Sequence, residues 1–180
     1  MASRRTALLG LLRHDTGGVA GIEFALCASL LVIGLLNAVD VGYYIHKRME
    51  VENAAQVGAQ AAWKTCNDQK SMLPATENCA GLTNAITAAI QSTSLGTAVS
   101  LASGYPTEGY YCVDSSNALQ SVGTLSNKPP NCSATGNSKT SPGDYIQVQA
   151  TYQYAPLFKI TVMHVWGITS ITMTSWMRLG

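Results

Sequence analysis

Glu23 is the side chain with the most chemistry to account for. It follows Gly17-Gly18-Val19-Ala20-Gly21-Ile22 and precedes Phe24-Ala25-Leu26-Cys27-Ala28-Ser29-Leu30-Leu31-Val32-Ile33, at the mouth of a long apolar run. A carboxylate in a membrane helix costs roughly 2.5–3.5 kcal/mol on insertion scales, so one kept there usually has a task, such as pairing with a cation in the same apolar setting. Cys66, Cys79, Cys112 and Cys132 offer a second chemistry. All four follow the apolar run, and four cysteines on an exported side imply an oxidising compartment and two disulfides. Three connectivities are open. Cys66–Cys79 with Cys112–Cys132 is preferred, because each closes a short polar loop. Cys27 lies inside the run and reads as a small buried residue.

Other reactive groups are scattered. His14 sits in a basic N-terminal stretch, His46 just past the apolar run, and His164 in a mostly apolar segment. None has a Ser or Cys partner or metal-ligand spacing, and no C-x-x-C occurs, so no catalytic residue, metal site or cofactor is expected. G-x-S-x-G and a phosphate-cradling glycine loop are also absent. Charged residues are 12% of the chain and the net charge is +1. That excludes the basic patch a nucleic-acid partner would need. The chain reads as a non-enzyme.

Those residues need an anchor. No charge falls between Phe24 and Val39, and Val19–Ile45 contains only Glu23, Asn37 and Asp40 as strongly polar positions. About 20 mostly apolar residues cross a bilayer, so 19–45 reads as one transmembrane segment in contact with membrane lipid. Asn37 and Asp40 read as one interfacial polar turn. Tyr43, Tyr44, His46, Lys47 and Arg48 read as the far-side belt. Arg4, Arg5 and Arg13 precede the run, which points to a cytoplasmic N-terminus. A secretory signal peptide fits poorly, because Leu36-Asn37-Ala38 puts leucine where a small residue is required.

The helix should start near Val19 and run, free of proline, to about Lys64. At 1.5 Å per residue it would be roughly 65–70 Å long, about twice the hydrocarbon thickness, so its second half should leave the membrane. In that half Val51, Ala54, Ala55, Gly58, Ala61, Ala62 and Thr65 recur at helical spacing. The small members Ala54, Gly58 and Ala62 can seat a sheet or a partner helix. Ala80–Thr93 reads as a short second helix, after a polar loop over Asn67–Asn78. Thr97–Ser103 and Tyr110–Val113 read as two strands of a hairpin, and Asp114–Pro142 as a long loop. Asp144–Tyr154 and Gly167–Arg178 alternate as strands, with Ile146, Val148, Ala150, Tyr152 and Tyr154 on the apolar face of the first. Ala155–Trp166 reads as a turn plus a helical stretch. The expected fold is α+β. The exported half of the helix packs on a small antiparallel sheet, within a head domain over residues 46–180.

The segment Gly18-Val19-Ala20-Gly21-Ile22-Glu23-Phe24 resembles a type IV prepilin processing site. With Asn53-Ala54-Ala55-Gln56-Val57-Gly58-Ala59-Gln60-Ala61-Ala62 and the Tyr145–Tyr154 alternation before Ala155-Pro156-Leu157, it resembles the TadE-like minor pilins of the tight-adherence (Flp-type) pilus system. The resemblance covers the first third well and the rest by layout. It implies that residues 1–18 are a leader, cut by a prepilin peptidase between Gly18 and Val19. It further implies a protein of the bacterial cytoplasmic membrane, with its head outside, whose partners are the other minor and major pilins. Assembly would use Glu23 and Phe24, the Glu23 carboxylate meeting the Val19 amine of a neighbouring subunit. Phe24 stands where the major pilins of such systems usually carry Tyr, and the run lacks an early proline. Both departures fit a minor component that supports adhesion. The alternatives are a pseudopilin of a type II secretion system and an unprocessed, single-pass adhesin or binding domain.

Overall fold

The structure is a computed structural model that describes residues 17–66 and 72–180. Its first element, α1, is one helix over Gly17–Cys66, two residues longer at each end than the periodicity predicts. No proline interrupts it, and Lys64 in its last turn complements the negative end of the helix dipole. The remaining elements are α2 (Ala75–Asn78), α3 (Leu82–Gln91), β1 (Val99–Leu101), β2 (Thr107–Val113), β3 (Leu119–Ser121), β4 (Gly143–Gln153), α4 (Val162–Val165) and β5 (Ser170–Arg178). A long apolar helix with a small antiparallel sheet and short helices makes the fold α+β.

The chain forms two compact units. One holds residues up to Gly42 together with Pro156–Gly167, and the other holds Tyr43–Ala155 with Ile168–Gly180.

In the second unit β4 is the sheet's centre. β5 pairs along one edge, from Tyr145 opposite Arg178 to Gln153 opposite Ser170. The other edge is shared. β2 takes the stretch from Gly143 to Gln147, and β1 takes Ala150 to Tyr152. The first two strands therefore lie end to end on β4 rather than pairing as a hairpin. Alternation marks a strand but does not name its partner, and β4 has the longer apolar face to offer both. The long loop is also more structured than its composition suggests. β3 folds back on β2, with Tyr111 opposite Ser121. The Asp114 carboxylate fastens that turn by accepting the Ser116 and Ala118 N–H groups at 2.8 and 3.0 Å. These bonds, the Ala118 one foremost, hold its pKa below the usual carboxylate range.

The core of this unit follows from the two periodicities. Ile146, Val148 and Ala150 are fully buried on alternate positions of β4, and Leu82, Ile86 and Ile90 line one face of α3. Along α1 the buried set is Val51, Ala54, Ala55, Gly58, Ala59, Ala62 and Cys66. It departs from the expected stripe at Ala61, which is half-buried, and at Thr65, which is exposed. A second small cluster of Tyr110, Cys112, Val122 and Cys132 sits beneath the 114–142 segment.

Candidate functional site

Along its first half α1 is apolar on all sides and exposed on nearly all of them. Ile22, Phe24, Leu26, Leu30, Leu31, Val32, Ile33, Leu35 and Val39 are all exposed. A helix apolar all round needs an apolar surrounding. Among the described residues this is one helix long and apolar enough to cross a membrane, and it marks the chain as membrane-anchored. Gly18 and Val19 fall in the first turns of α1, and Glu23 and Phe24 are exposed on its surface. Arg4, Arg5, Arg13 and His14 of the expected leader lie outside the described residues, as does the stretch 67–71 of the polar loop. Cys27, expected to be buried, is a free and exposed thiol, because none of the described residues packs over it.

At the far end of the apolar stretch the structure assembles something that spacing alone does not indicate. Asn37 and Asp40 are three residues apart and so share one helix face. Asp40 is 0% exposed. Its carboxylate accepts the Leu157 N–H at 2.8 Å and a short hydrogen bond from the Thr161 hydroxyl. Asn37 accepts the Val162 N–H at 2.9 Å and donates to the Ile33 carbonyl at 2.8 Å. Segment 156–167 is thereby fastened to the helix by Asn37 and Asp40, whose spacing alone predicts only an interfacial polar turn. The available signal was a carboxylate next to an apolar run with no nearby cation, which needs donors from elsewhere in the chain.

In the second unit the small stripe does close-packing work. A Cβ placed on Gly58 would lie 2.9 Å from Ile90 Cγ1 and 3.1 Å from Val148 Cγ1. Hydrogen here lets α1 approach both α3 and β4. Ala54 and Ala62 are fully buried. The residues read as a far-side belt make contacts of their own. Tyr43 and Tyr44 pack on Tyr154, with ring centroids 5.9 and 5.3 Å apart. Lys47 pairs with Glu50 at 2.7 Å, and Ser94 donates to the other Glu50 oxygen at 2.7 Å. That pairing raises the Lys47 pKa and lowers that of Glu50. The bonded cysteines are Cys66 with Cys79 and Cys112 with Cys132, at Cα separations of 5.8 and 5.6 Å.

Two carboxylates in this unit deserve comparison. Glu108 accepts from the N–H groups of Ala75 and Thr76 at 2.7 and 2.6 Å, which caps α2. Asp144, 1% exposed, has both carboxylate oxygens buried, with the Glu108 carboxyl as its charged neighbour. Burial first, and then the negative charge of Glu108, push its pKa up to about 7, against a smaller opposing pull from Lys128. Among the described residues no three His, Cys, Asp or Glu side chains gather as a metal-binding set.

The geometry defines an α+β protein carried on one membrane-anchoring helix. The family model described as TadE-like protein matches residues 18–60, the greater part of that helix. Over those residues, about a quarter of its length, the chain is similar to TadE-like proteins. No curated protein and no solved structure matches the chain.

Proposed function

We propose that this chain is a TadE-like minor pilin that assists assembly of a tight-adherence pilus and so supports surface adhesion. The observation that carries the reading is the TadE-like match on a helix whose first half is exposed and apolar on all sides, with Glu23 five residues after the Gly18/Val19 junction counted from Val19. A prepilin peptidase removes residues 1–18. Residues 19–45 stay in the cytoplasmic membrane with their N-terminal end facing the cytoplasm, and 46–180 form the exported head. Within a bundle of such helices, association rests on close packing and polar pairing, since lipid is as apolar as leucine. The Val19 amine freed by the cut and the Glu23 carboxylate of a neighbour neutralise each other there. Each alone is costly in that setting.

A strain deleted for this chain tests the role. Surface pili and adherence should fall, and the wild-type chain should restore them. Glu23→Gln should reach the membrane yet fail to restore piliation or to co-purify with the other pilins. Normal pili and normal adherence in the deletion strain contradict the proposal.

A further inference from the structure

Segment 156–167 is unusual in what it leaves uncovered. Val165 and Trp166 are 75% and 71% exposed, and Leu157, Ile160 and Val162 are exposed beside them. The segment has no acidic residue, and Lys159 and His164 are its only basic side chains. Five of its backbone N–H groups have partners within the same unit. Leu157 and Val162 donate to Asp40 and Asn37. Val165, Trp166 and Gly167 donate to the Thr161, Val162 and His164 carbonyls at 3.1, 2.9 and 3.0 Å. The Thr161 hydroxyl, fully buried, also lies 2.9 Å from the Phe158 carbonyl oxygen. Exposed apolar side chains on a segment tied to the helix, with part of its backbone open to water, suit the boundary between lipid and water.

Its place along α1 identifies that medium. Counted from Val19, about 20 residues cross the hydrocarbon, so the crossing ends near Val39. Asn37 and Asp40 stand at that end, and they hold the segment there. Trp166 and Lys159 in one short segment match the composition of membrane–water interfaces, where a tryptophan ring sits at headgroup level and a lysine ammonium reaches the phosphates.

We infer that residues 157–166 form a second membrane-contacting element, pinned to α1 by Asn37 and Asp40, whose Leu157, Ile160, Val165 and Trp166 side chains enter the headgroup region of the outer leaflet. The element fixes the depth and rotation of α1 in the bilayer, and so the height at which the exported chain begins. The inference rests on the helix being membrane-anchored.

The test uses the full chain reconstituted in phosphatidylethanolamine/phosphatidylglycerol vesicles containing a lipid with a photoreactive group near its headgroup. Flotation resistant to alkaline carbonate reports the anchor, and mass mapping of lipid adducts reports the segment. Adducts are expected on both α1 and 157–166. In the Asn37→Ala/Asp40→Ala variant, adducts on 157–166 should fall several-fold while those on α1 persist. If that variant fails to float, the wild-type map decides alone. A wild-type chain that floats but carries adducts on α1 only overturns the inference and leaves the anchor standing. A chain that does not float overturns both. A photocrosslinking residue at position 166 in native membranes should give mainly lipid adducts. Mainly protein adducts would overturn the inference in favour of a neighbouring subunit.

Discussion

The two halves of α1 differ in pattern and in side-chain size: the first is apolar on all sides, and the second has one apolar stripe opposite Glu52, Gln56, Gln60 and Lys64. From Ile22 to Val39 it carries Leu, Ile, Val and Phe, nearly all exposed, and Gly21 and Gly34 have nothing within 4 Å of an added Cβ. From Val51 to Cys66 it carries Ala and Gly on its buried face, and Gly58 would place a Cβ against Ile90 and Val148. Large apolar residues suit a surface that meets lipid or other subunits. Small ones suit a surface already filled by its own chain. Size along the apolar positions of a helix therefore distinguishes outward from inward packing, alongside the hydropathy pattern.

The sharpest way to break this comparison is to enlarge the small stripe. Ala54→Leu combined with Gly58→Leu should lower the stability of the sheet-bearing unit by about 1–3 kcal/mol per site, read by thermal unfolding in detergent. An unchanged midpoint would mean that the stripe does not carry the core. Next in size is the staple at the end of α1. Cys66→Ser/Cys79→Ser should cost roughly 2–4 kcal/mol, measured by denaturant unfolding. Free thiols at both positions in the oxidised wild-type protein would contradict the bond.

A smaller effect is set by pH. Asp144 holds its proton in the folded state up to about pH 7, while the unfolded chain releases it near pH 4. The folded state thus binds more protons across that window, so stability should decline as pH rises through it and level off above. Asp144→Asn should flatten that decline and gain on the order of 1–3 kcal/mol over the wild type at pH 8 relative to pH 5. A parallel pH profile for the two proteins would show that Asp144 is ionised throughout. The smallest effect is a matched control in the first half of α1. Gly34→Leu should alter unfolding of the sheet-bearing unit by less than about 0.5 kcal/mol. A cost equal to that at Gly58 would erase the distinction between the halves.

The sequence displays the parts of this molecule that depend on local period. An unbroken apolar run without proline specifies α1, and strict alternation over Asp144–Tyr154 and Gly167–Arg178 specifies β4 and β5. The spacing of Leu82, Ile86 and Ile90 specifies α3. Partner choice is a different matter. That β1 and β2 share an edge of β4 depends on pairings between residues 32 to 53 positions apart, to which a strand's own period is blind. Asn37 and Asp40 were visible as polar residues, but their donors lie 117–125 residues away. Asp144 was visible as the first residue of a strand, and only the fold buries it.

The account stands on the first half of α1 being the mature start of an anchored assembly subunit. The most direct measurement is the N-terminal sequence and intact mass of the protein extracted from membranes. The account predicts a chain that begins at Val19, with Glu23 as its fifth residue. A chain that begins at Met1, or at Val39 after signal-peptidase cleavage, would contradict it.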